Sequence, residues 1–308
     1  MAFFSVIIPL YNKEQFIEAT LNSVLSQVFG DFEIIIINDG STDNSEQKVL
    51  AFSDSRIRYY SKENGGVSSA RNLGISYANS DYITFIDADD YWYPEFLETM
   101  YSSIQKFPSE QVFSAAIEVA SPKQVYAASY SIPDANEYAV VDYFKASQNE
   151  SVIWTSCAVF HKKVFDIAGV FDPLIRSGED IDLWVRIGLL YKIVFYNKIL
   201  ARYVYDAGSL SKDKQYSSIG MDFSKFEKQE LQNTGLKQFL DLNRFSMAVK
   251  SKLNGDGQAF LRFYNGIDRA KLSRKKRILL VLPSFILRRL VALQYLLTDW
   301  GLVRSPFK

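Results

Sequence analysis

The 308-residue chain predicts an α/β fold, a mostly parallel sheet flanked by helices, with a helical C-terminal extension. Three observations predict it. Through the first hundred residues, short β-branched or aromatic runs alternate with stretches of helical period, the signature of a parallel sheet wound with helices. One of those runs, Phe-Glu-Ile-Ile-Ile-Ile-Asn at 32–38, is Ile-rich enough to be a buried strand. Beyond about residue 217 the chain is rich in helical period and in Lys and Glu.

In order, strands are expected at 3–9, 32–38, 56–61 and 82–87, separated by helices at 13–27, 45–52 and 67–78. The first helix places Ile17, Leu21, Val24 and Leu25 on one face. A helix at 94–107 follows, then strands around 111–118, 124–130 and 156–160, and helices at 162–168 and 179–188. The expected organisation is a body of residues 1–216, divided near 107, and an extension of residues 217–308. No repeat of fixed period and no low-complexity tract is evident.

Composition excludes several classes. With 48% hydrophobic residues and 35 Lys+Arg against 35 Asp+Glu, the chain is neither disordered nor collagen-like. A single cysteine, Cys157, makes no internal bridge and no Cys-built metal site, which points to a reducing, cytoplasmic compartment. Residues 1–10 lack a basic region and a cleavage site, so they read as a first strand and not a leader. The longest apolar run, 278–287, contains Pro283 and stops at Arg288 and Arg289, short of the roughly 18 residues that span a bilayer. Net charge hides an asymmetry: residues 269–308 carry +9 and the rest −9. The two parts should meet different partners.

Sheets of this kind bind ligands at the carboxyl ends of their strands, near the topological switch point. Read in order, those ends give Pro9-Leu10-Tyr11-Asn12, Asp39-Gly40-Ser41-Thr42-Asp43, Asn64-Gly65-Gly66-Val67 running on to Arg71, and Asp87-Ala88-Asp89-Asp90. A dinucleotide fingerprint would need Gly-x-Gly-x-x-Gly straight after the first strand, where Pro9 to Asn12 stand. With these four motifs in this order and spacing, residues 3–211 resemble a family 2 glycosyltransferase of the GT-A fold, as in bacterial O-antigen and capsule enzymes. The resemblance implies an inverting, nucleotide-sugar-dependent, metal-using enzyme, with a donor half at 1–107 and an acceptor half at 108–216.

If the strand stays extended, Asp87 and Asp89 point to one face, and paired carboxylates call for a neutralising cation. Mg²⁺ or Mn²⁺ suits hard oxygen ligands shared with a diphosphate. The resemblance gives Asp89 to the metal and Asp87 to the ribose or a metal water, with Ala88 between them at the donor. Asp39 ends the second strand, where its carboxylate can accept the imide N–H of uracil, while Asp43 caps the following helix. By resemblance Pro9, Tyr11 and Asn12 line the nucleoside pocket. Gly65 and Gly66 let backbone pass close to a ligand at a helix N-terminus, and Arg71, one turn in, is in reach of uracil or diphosphate.

Glu179-Asp180 at the start of a helix resembles the family's acceptor motif. Asp180 is the expected base that takes the acceptor proton, although a helix N-terminus should lower its pKa. Glu179 belongs to the acceptor side, and Trp184, four residues after Asp180 on the same face, is an acceptor-stacking candidate or a core tryptophan. Where many relatives carry a further metal-binding histidine, this chain has Asp206. The Gln-x-x-Arg-Trp motif and membrane spans of processive synthases are missing, which favours transfer of a single sugar from a UDP-sugar to a saccharide hydroxyl. The resemblance implies a polyprenyl-diphosphate-linked acceptor. The basic amphipathic tail suits peripheral contact with the cytoplasmic face of an inner membrane, and not nucleic acid, because its cations interleave with aliphatic side chains. Competing readings are a nucleotidyltransferase, which would release pyrophosphate, and a non-catalytic UDP-sugar- or carrier-binding protein.

Overall fold

The computed structural model describes residues 2–121, 124–132, 137–204 and 222–299, the last six of these as backbone. The first half runs β1 (Phe4–Leu10), α1 (Ile17–Leu25), β2 (Phe32–Asn38), α2 (Ser45–Leu50), β3 (Ile57–Ser61), α3 (Val67–Tyr77), β4 (Tyr82–Phe85), β5 (Tyr91–Trp92) and α4 (Phe96–Lys106). The second runs β6 (Val112–Ala120), β7 (Val125–Ala127), β8 (Tyr138–Val141), α5 (Tyr143–Ala146), β9 (Ala158–His161), α6 (Lys163–Ala168), α7 (Glu179–Gly188) and β10 (Ile193–Val204). Helices α8 (Glu227–Gln232), α9 (Thr234–Asn254), α10 (Gly257–Asn265), α11 (Arg274–Val281) and α12 (Ser284–Asp299) follow.

The strands join one sheet in the order β3-β2-β1-β4-β9-β6-β10-β5, with β7 on β6 and β8 on β10. β3, β2, β1 and β4 are mutually parallel, as are β6 and β10, while β9 runs antiparallel between β4 and β6. Chain order reverses at β1, which lies between β2 and β4, so the carboxyl ends of these strands open one crevice at the switch point. Alternation of side chains divides each strand between two apolar layers. Val6, Ile8, Ile34 and Ile36 pack with Leu21 and Val24 of α1 on one face. Ile7, Ile35 and Ile37 face the other, whose cluster continues through Phe160 and Trp184 to Leu236, Phe239 and Leu280 of the C-terminal helices. Both faces are covered, which is why β1 and β2 are buried along their whole length and mostly apolar, with the polar exceptions Ser5 and Glu33 hydrogen-bonded to each other at 2.6 Å.

One feature of the second half differs from expectation. β10 was not delineated by sequence pattern, because Asn197 and Lys198 interrupt its apolar run at a bulge where pairing with β6 shifts register. The 278–287 run is two helices, since Pro283 forces Leu282 out of helical conformation between α11 and α12. Among the described residues no helix is long and apolar enough to cross a membrane.

Candidate active site

The Asp87–Asp90 segment leaves β4 and closes as a turn, with the Asp90 N–H donating to the Asp87 carbonyl at 2.9 Å. The extended conformation expected there does not persist, so the two carboxylates are placed by the turn and not by strand alternation. Thr20 of α1 fixes the turn from behind, its hydroxyl donating to the carbonyls of Ala88 (3.0 Å) and Asp90 (2.7 Å). Ala88 itself is buried, with its methyl in the apolar layer beside α1. Ser156 fixes the turn from the side: its hydroxyl accepts from the Asp87 N–H at 3.0 Å and donates to Asp90 at 2.5 Å. The buried Asp90 also accepts from the Val204 N–H at 3.0 Å, and burial, reinforced by Asp87 and Asp89, pushes its carboxyl well above the usual range.

Asp87 and Asp89 diverge to different cations. Lys13, in the loop after β1, reaches Asp89 at 2.5 Å, and Arg71 of α3 reaches Asp87 at 2.7 Å. Burial pushes the Asp89 carboxyl upward, Lys13 opposes this, and Asp87 adds to it. Burial is the larger cause, and the Asp87 carboxylate is a smaller contribution in the same direction.

Arg71 is the hub. Its side chain is 5% exposed, lies 5.1 Å over the Phe171 ring, and donates to Asp87 with one terminal nitrogen and to Glu179 with the other at 3.1 Å. The guanidinium thus bridges Asp87 and Glu179, and its buried Nε has no hydrogen-bond partner. Its neighbour Asn72 clamps the loop before α7, giving to the Phe171 carbonyl at 2.8 Å and taking from the Phe171 N–H at 3.0 Å. Consecutive residues of α3 thus join the turn after β4 to the start of α7 and the loop before it.

α7 begins after Gly178, which holds a left-handed φ of 82° that a side chain would resist. Its first turn carries Glu179, Asp180 and Asp182 at the positive end of the helix dipole. The expected fall in Asp180 pKa is reversed. Burial pushes it up, outweighing the Ile181 N–H that donates to it at 2.7 Å and the nearby Arg71, with Asp87 pushing it further. Burial followed by Asp180 pushes Glu179 up to about 7, against Arg71. Asp87 acts on both Asp89 and Asp180, so the turn after β4 and the start of α7 share one electrostatic site. Trp184 does not join it. It is 1% exposed and stacked on Phe160 at 5.1 Å, because the face it shares with Asp180 turns into the core one turn further along α7. Asp182 is held by Arg186 at 2.9 Å and by Lys225, ahead of α8.

Asp39 is buried just after β2 and organises the loop ahead of α3. It accepts from the N–H groups of Gly65 (2.9 Å) and Gly66 (2.7 Å) and from Lys62 at 2.5 Å. Gly40 makes this approach possible: a Cβ there would lie 2.9 Å from the Asn64 nitrogen. Tyr11 is exposed beside it, while Asn12 ties the two loops together by accepting from the Thr42 N–H at 2.8 Å. Asp43 takes the Ser45 N–H at 3.0 Å, at the start of α2 as expected, and also the Glu14 N–H. Pro9 is buried within β1 opposite Ile37. Asp206 lies outside the described residues.

Among the described residues no three His, Cys, Asp or Glu side chains gather as a metal cage. A hard divalent ion that takes one or two carboxylates and completes its shell with phosphate oxygens and water could be held by Asp89 and Asp87, each of which now faces a protein cation, Lys13 and Arg71. Lys13, Lys62 and Ser156 lie outside the sequence motifs, and Asn72 and Asp90 lie within them without an assigned role. Each is a single polar residue whose partner lies far along the chain.

Comparison with known proteins agrees with this arrangement. The profile of glycosyl transferase family 2 matches residues 5–167, more than half of the chain. GlyA of Streptococcus pneumoniae is 28% identical over 218 residues, which cover 68% of this chain and 26% of that protein. An uncharacterized glycosyltransferase of Rickettsia typhi is 28% identical over 236 residues, 74% of this chain and 73% of the other. EpsJ of Bacillus subtilis is 33% identical over 184 residues, 57% of this chain and 53% of its own. The match therefore spans about a quarter to three quarters of these relatives. The crystal structure of S. aureus TarS 1-349 in complex with UDP-GlcNAc superimposes with a TM-score of 0.59 at 20% identity, covering 97% of this chain and 83% of that one. That likeness shows the GT-A type of fold. With the profile lying across the strand ends that carry Asp39, Arg71, Asp87 and Asp89, the chain belongs to glycosyl transferase family 2.

Proposed function

We propose that this protein transfers a single sugar from a UDP-sugar to a saccharide hydroxyl, with inversion at the anomeric carbon and Asp180 as the base. The observation that carries the reading is the Arg71 bridge, which fastens the Asp87–Asp89 turn to the first turn of α7. An inverting displacement needs the leaving diphosphate and the attacking hydroxyl on opposite faces of one sugar, with a base on the hydroxyl side and neutralising positive charge on the diphosphate side. Asp39, already accepting three donors, keeps acceptor capacity on Oδ2 for the imide N–H of uracil, beside Tyr11 and Asn12. A bound Mn²⁺ or Mg²⁺, held by Asp89 with Asp87, would supply charge neutralisation for the leaving diphosphate. Lys13 holds Asp89 in place and adds positive charge where the phosphates would lie. On the other side, burial keeps Asp180 more basic than a solvated aspartate, so its proton affinity suits a transfer that completes late in the displacement. A polyprenyl-diphosphate-linked saccharide is the acceptor this reading takes from the family resemblance.

Asp180→Asn tests it. UDP release in the presence of a panel of UDP-sugars and Mn²⁺ should fall by about 10²- to 10⁴-fold in kcat, the usual worth of a general base, while UDP affinity stays within about threefold. An unchanged rate removes Asp180 from the chemistry. Release of pyrophosphate in place of UDP would move the protein to nucleotidyl transfer.

A further inference from the structure

The two last helices carry a surface that the active site does not use. Between Asp268 and Asp299 the chain has eight Lys and Arg and no acid. α11 and α12 are docked on α9 by one side only: Leu280 and Leu287 are each 1% exposed, the Lys252 ammonium donates to the Leu280 carbonyl, and Arg288 donates to the Leu253 carbonyl at 3.0 Å. The opposite side is open. Ile278 (55% exposed), Val281 (68%), Phe285 (67%), Leu290 (42%) and Leu293 (52%) stand out within sixteen consecutive positions. Arg274, Ile278 and Val281 recur at helical spacing on α11, and Phe285, Arg289 and Leu293 do so on α12, so cations and apolar side chains share the outward faces. Arg274, Lys275, Arg277 and Arg289 are exposed, whereas Lys276 turns back over the Phe245 ring at 5.6 Å.

We propose that the outward faces of α11 and α12 form an interfacial docking site for an anionic lipid bilayer. Isolated exposed apolar residues are ordinary on a protein surface, but a run of them interleaved with cations and free of acids matches a headgroup layer over hydrocarbon. Neither helix crosses the bilayer. Each lies in the interface, with aliphatic and aromatic tips below the phosphates and guanidinium groups among them. Charge complementarity selects the occupant. The remainder of the chain is acidic, so a membrane that attracts the extension repels the body and orients the molecule extension-first. An acidic protein partner would satisfy the cations and leave Phe285 and Val281 without a role, and nucleic acid would favour aromatic over aliphatic partners for the cations.

The test is flotation of the full-length protein with vesicles of phosphatidylglycerol and phosphatidylcholine, compared with vesicles of phosphatidylcholine alone, at about 0.1 M salt. Binding is expected to the anionic vesicles only. Arg274→Gln, Lys275→Gln and Arg277→Gln together should weaken it about 100-fold, near fivefold for each charge. Val281→Ser with Phe285→Ser should weaken it by about tenfold or more through lost interfacial burial. Unchanged UDP affinity and melting temperature identify the variants as folded. Absence of vesicle binding by the wild type overturns the proposal. So does insensitivity to the apolar pair, which would mean adsorption by charge alone. Concentration-dependent self-association without lipid binding, abolished by the same substitutions, would assign the face to a second copy of the chain.

Discussion

Two buried arginines in this protein are built alike and differ in what surrounds them. Arg244 of α9 is 7% exposed, donates to both carboxylate oxygens of Glu230 and to Asp241 at 3.2 Å, and lies 5.4 Å from the Phe223 ring. Arg71 is 5% exposed, donates to two carboxylates and lies over Phe171. Around Arg244 the acids come from the same helix or the one before it, and Asp241 takes further donors from Lys237 and from the Asp268 N–H at 3.1 Å. Around Arg71 the acids lie 16 and 108 positions away, one on each half of the candidate site. Its Nε is left without an acceptor, and Glu179 is pushed up to about 7. A closed network such as that of Arg244 holds helices together. An open one, with electrostatic work left in its carboxylates, is what a reacting centre needs.

The sharpest way to break that comparison is to replace each arginine by methionine, which keeps bulk and removes charge. Arg71→Met should leave Asp87, Glu179 and Asp180 uncompensated around one space, lowering stability by about 3–5 kcal/mol. It should also cut kcat/KM for donor turnover by at least about 100-fold in the protein that remains folded, because the two halves lose their register. Arg71→Lys should recover much of the stability and little of the rate, since a single ammonium does not span two carboxylates as a guanidinium fork does. Arg244→Met should cost a similar 3–5 kcal/mol, visible as a lower denaturation midpoint, while kcat of the folded fraction stays within about twofold. Equal losses of rate in the two variants would erase the distinction. A smaller step on the site side is Ser156→Ala, which leaves the Asp87 N–H and the buried Asp90 each short of a partner. It should lower stability by about 1–3 kcal/mol and raise the donor KM more than it lowers kcat.

The same contrast explains what could be read in the sequence. The strand ends after β1, β2 and β4 were legible because each motif follows a largely apolar run that lies in the buried sheet; the half-buried β3 was marked instead by its β-branched and aromatic residues and by the glycines that follow it. α7 was legible to the residue, Glu179 to Gly188, because its acidic first turn precedes an amphipathic period. The clamps between motifs were not. Lys13 meets Asp89 across 76 positions, Asn72 meets Phe171 across 99, and Ser156 meets Asp87 across 69. Nothing local marks one lysine among 35 Lys and Arg as the partner of a given aspartate. Trp184 shows the matching limit of periodicity: spacing of four fixes a shared helix face, and only packing decides where along that face the core begins. The Asp180 pKa shows a third. A helix N-terminus argued for a lowered value, and burial, which no motif encodes, won.

The gentlest probe of the open network is its pH dependence in the absence of substrate. Burial, then Asp180, raise Glu179 from 4.5 to about 7, with Arg71 opposing. A carboxyl whose folded value lies above its unfolded one contributes stability that is full below the unfolded value and is lost as pH rises through the folded one. Between about pH 5 and pH 8 the protein should therefore lose on the order of 2 kcal/mol from this group, since the Glu179 side chain is only 14% exposed and little screened. Glu179→Gln keeps an oxygen for Arg71 and removes the titration, so melting temperatures of variant and wild type should agree near pH 5 and separate toward pH 8, the variant being the higher. Parallel curves across that range would mean that Glu179 is ionised throughout and that the site, like the cluster at Arg244, is simply a closed ion network.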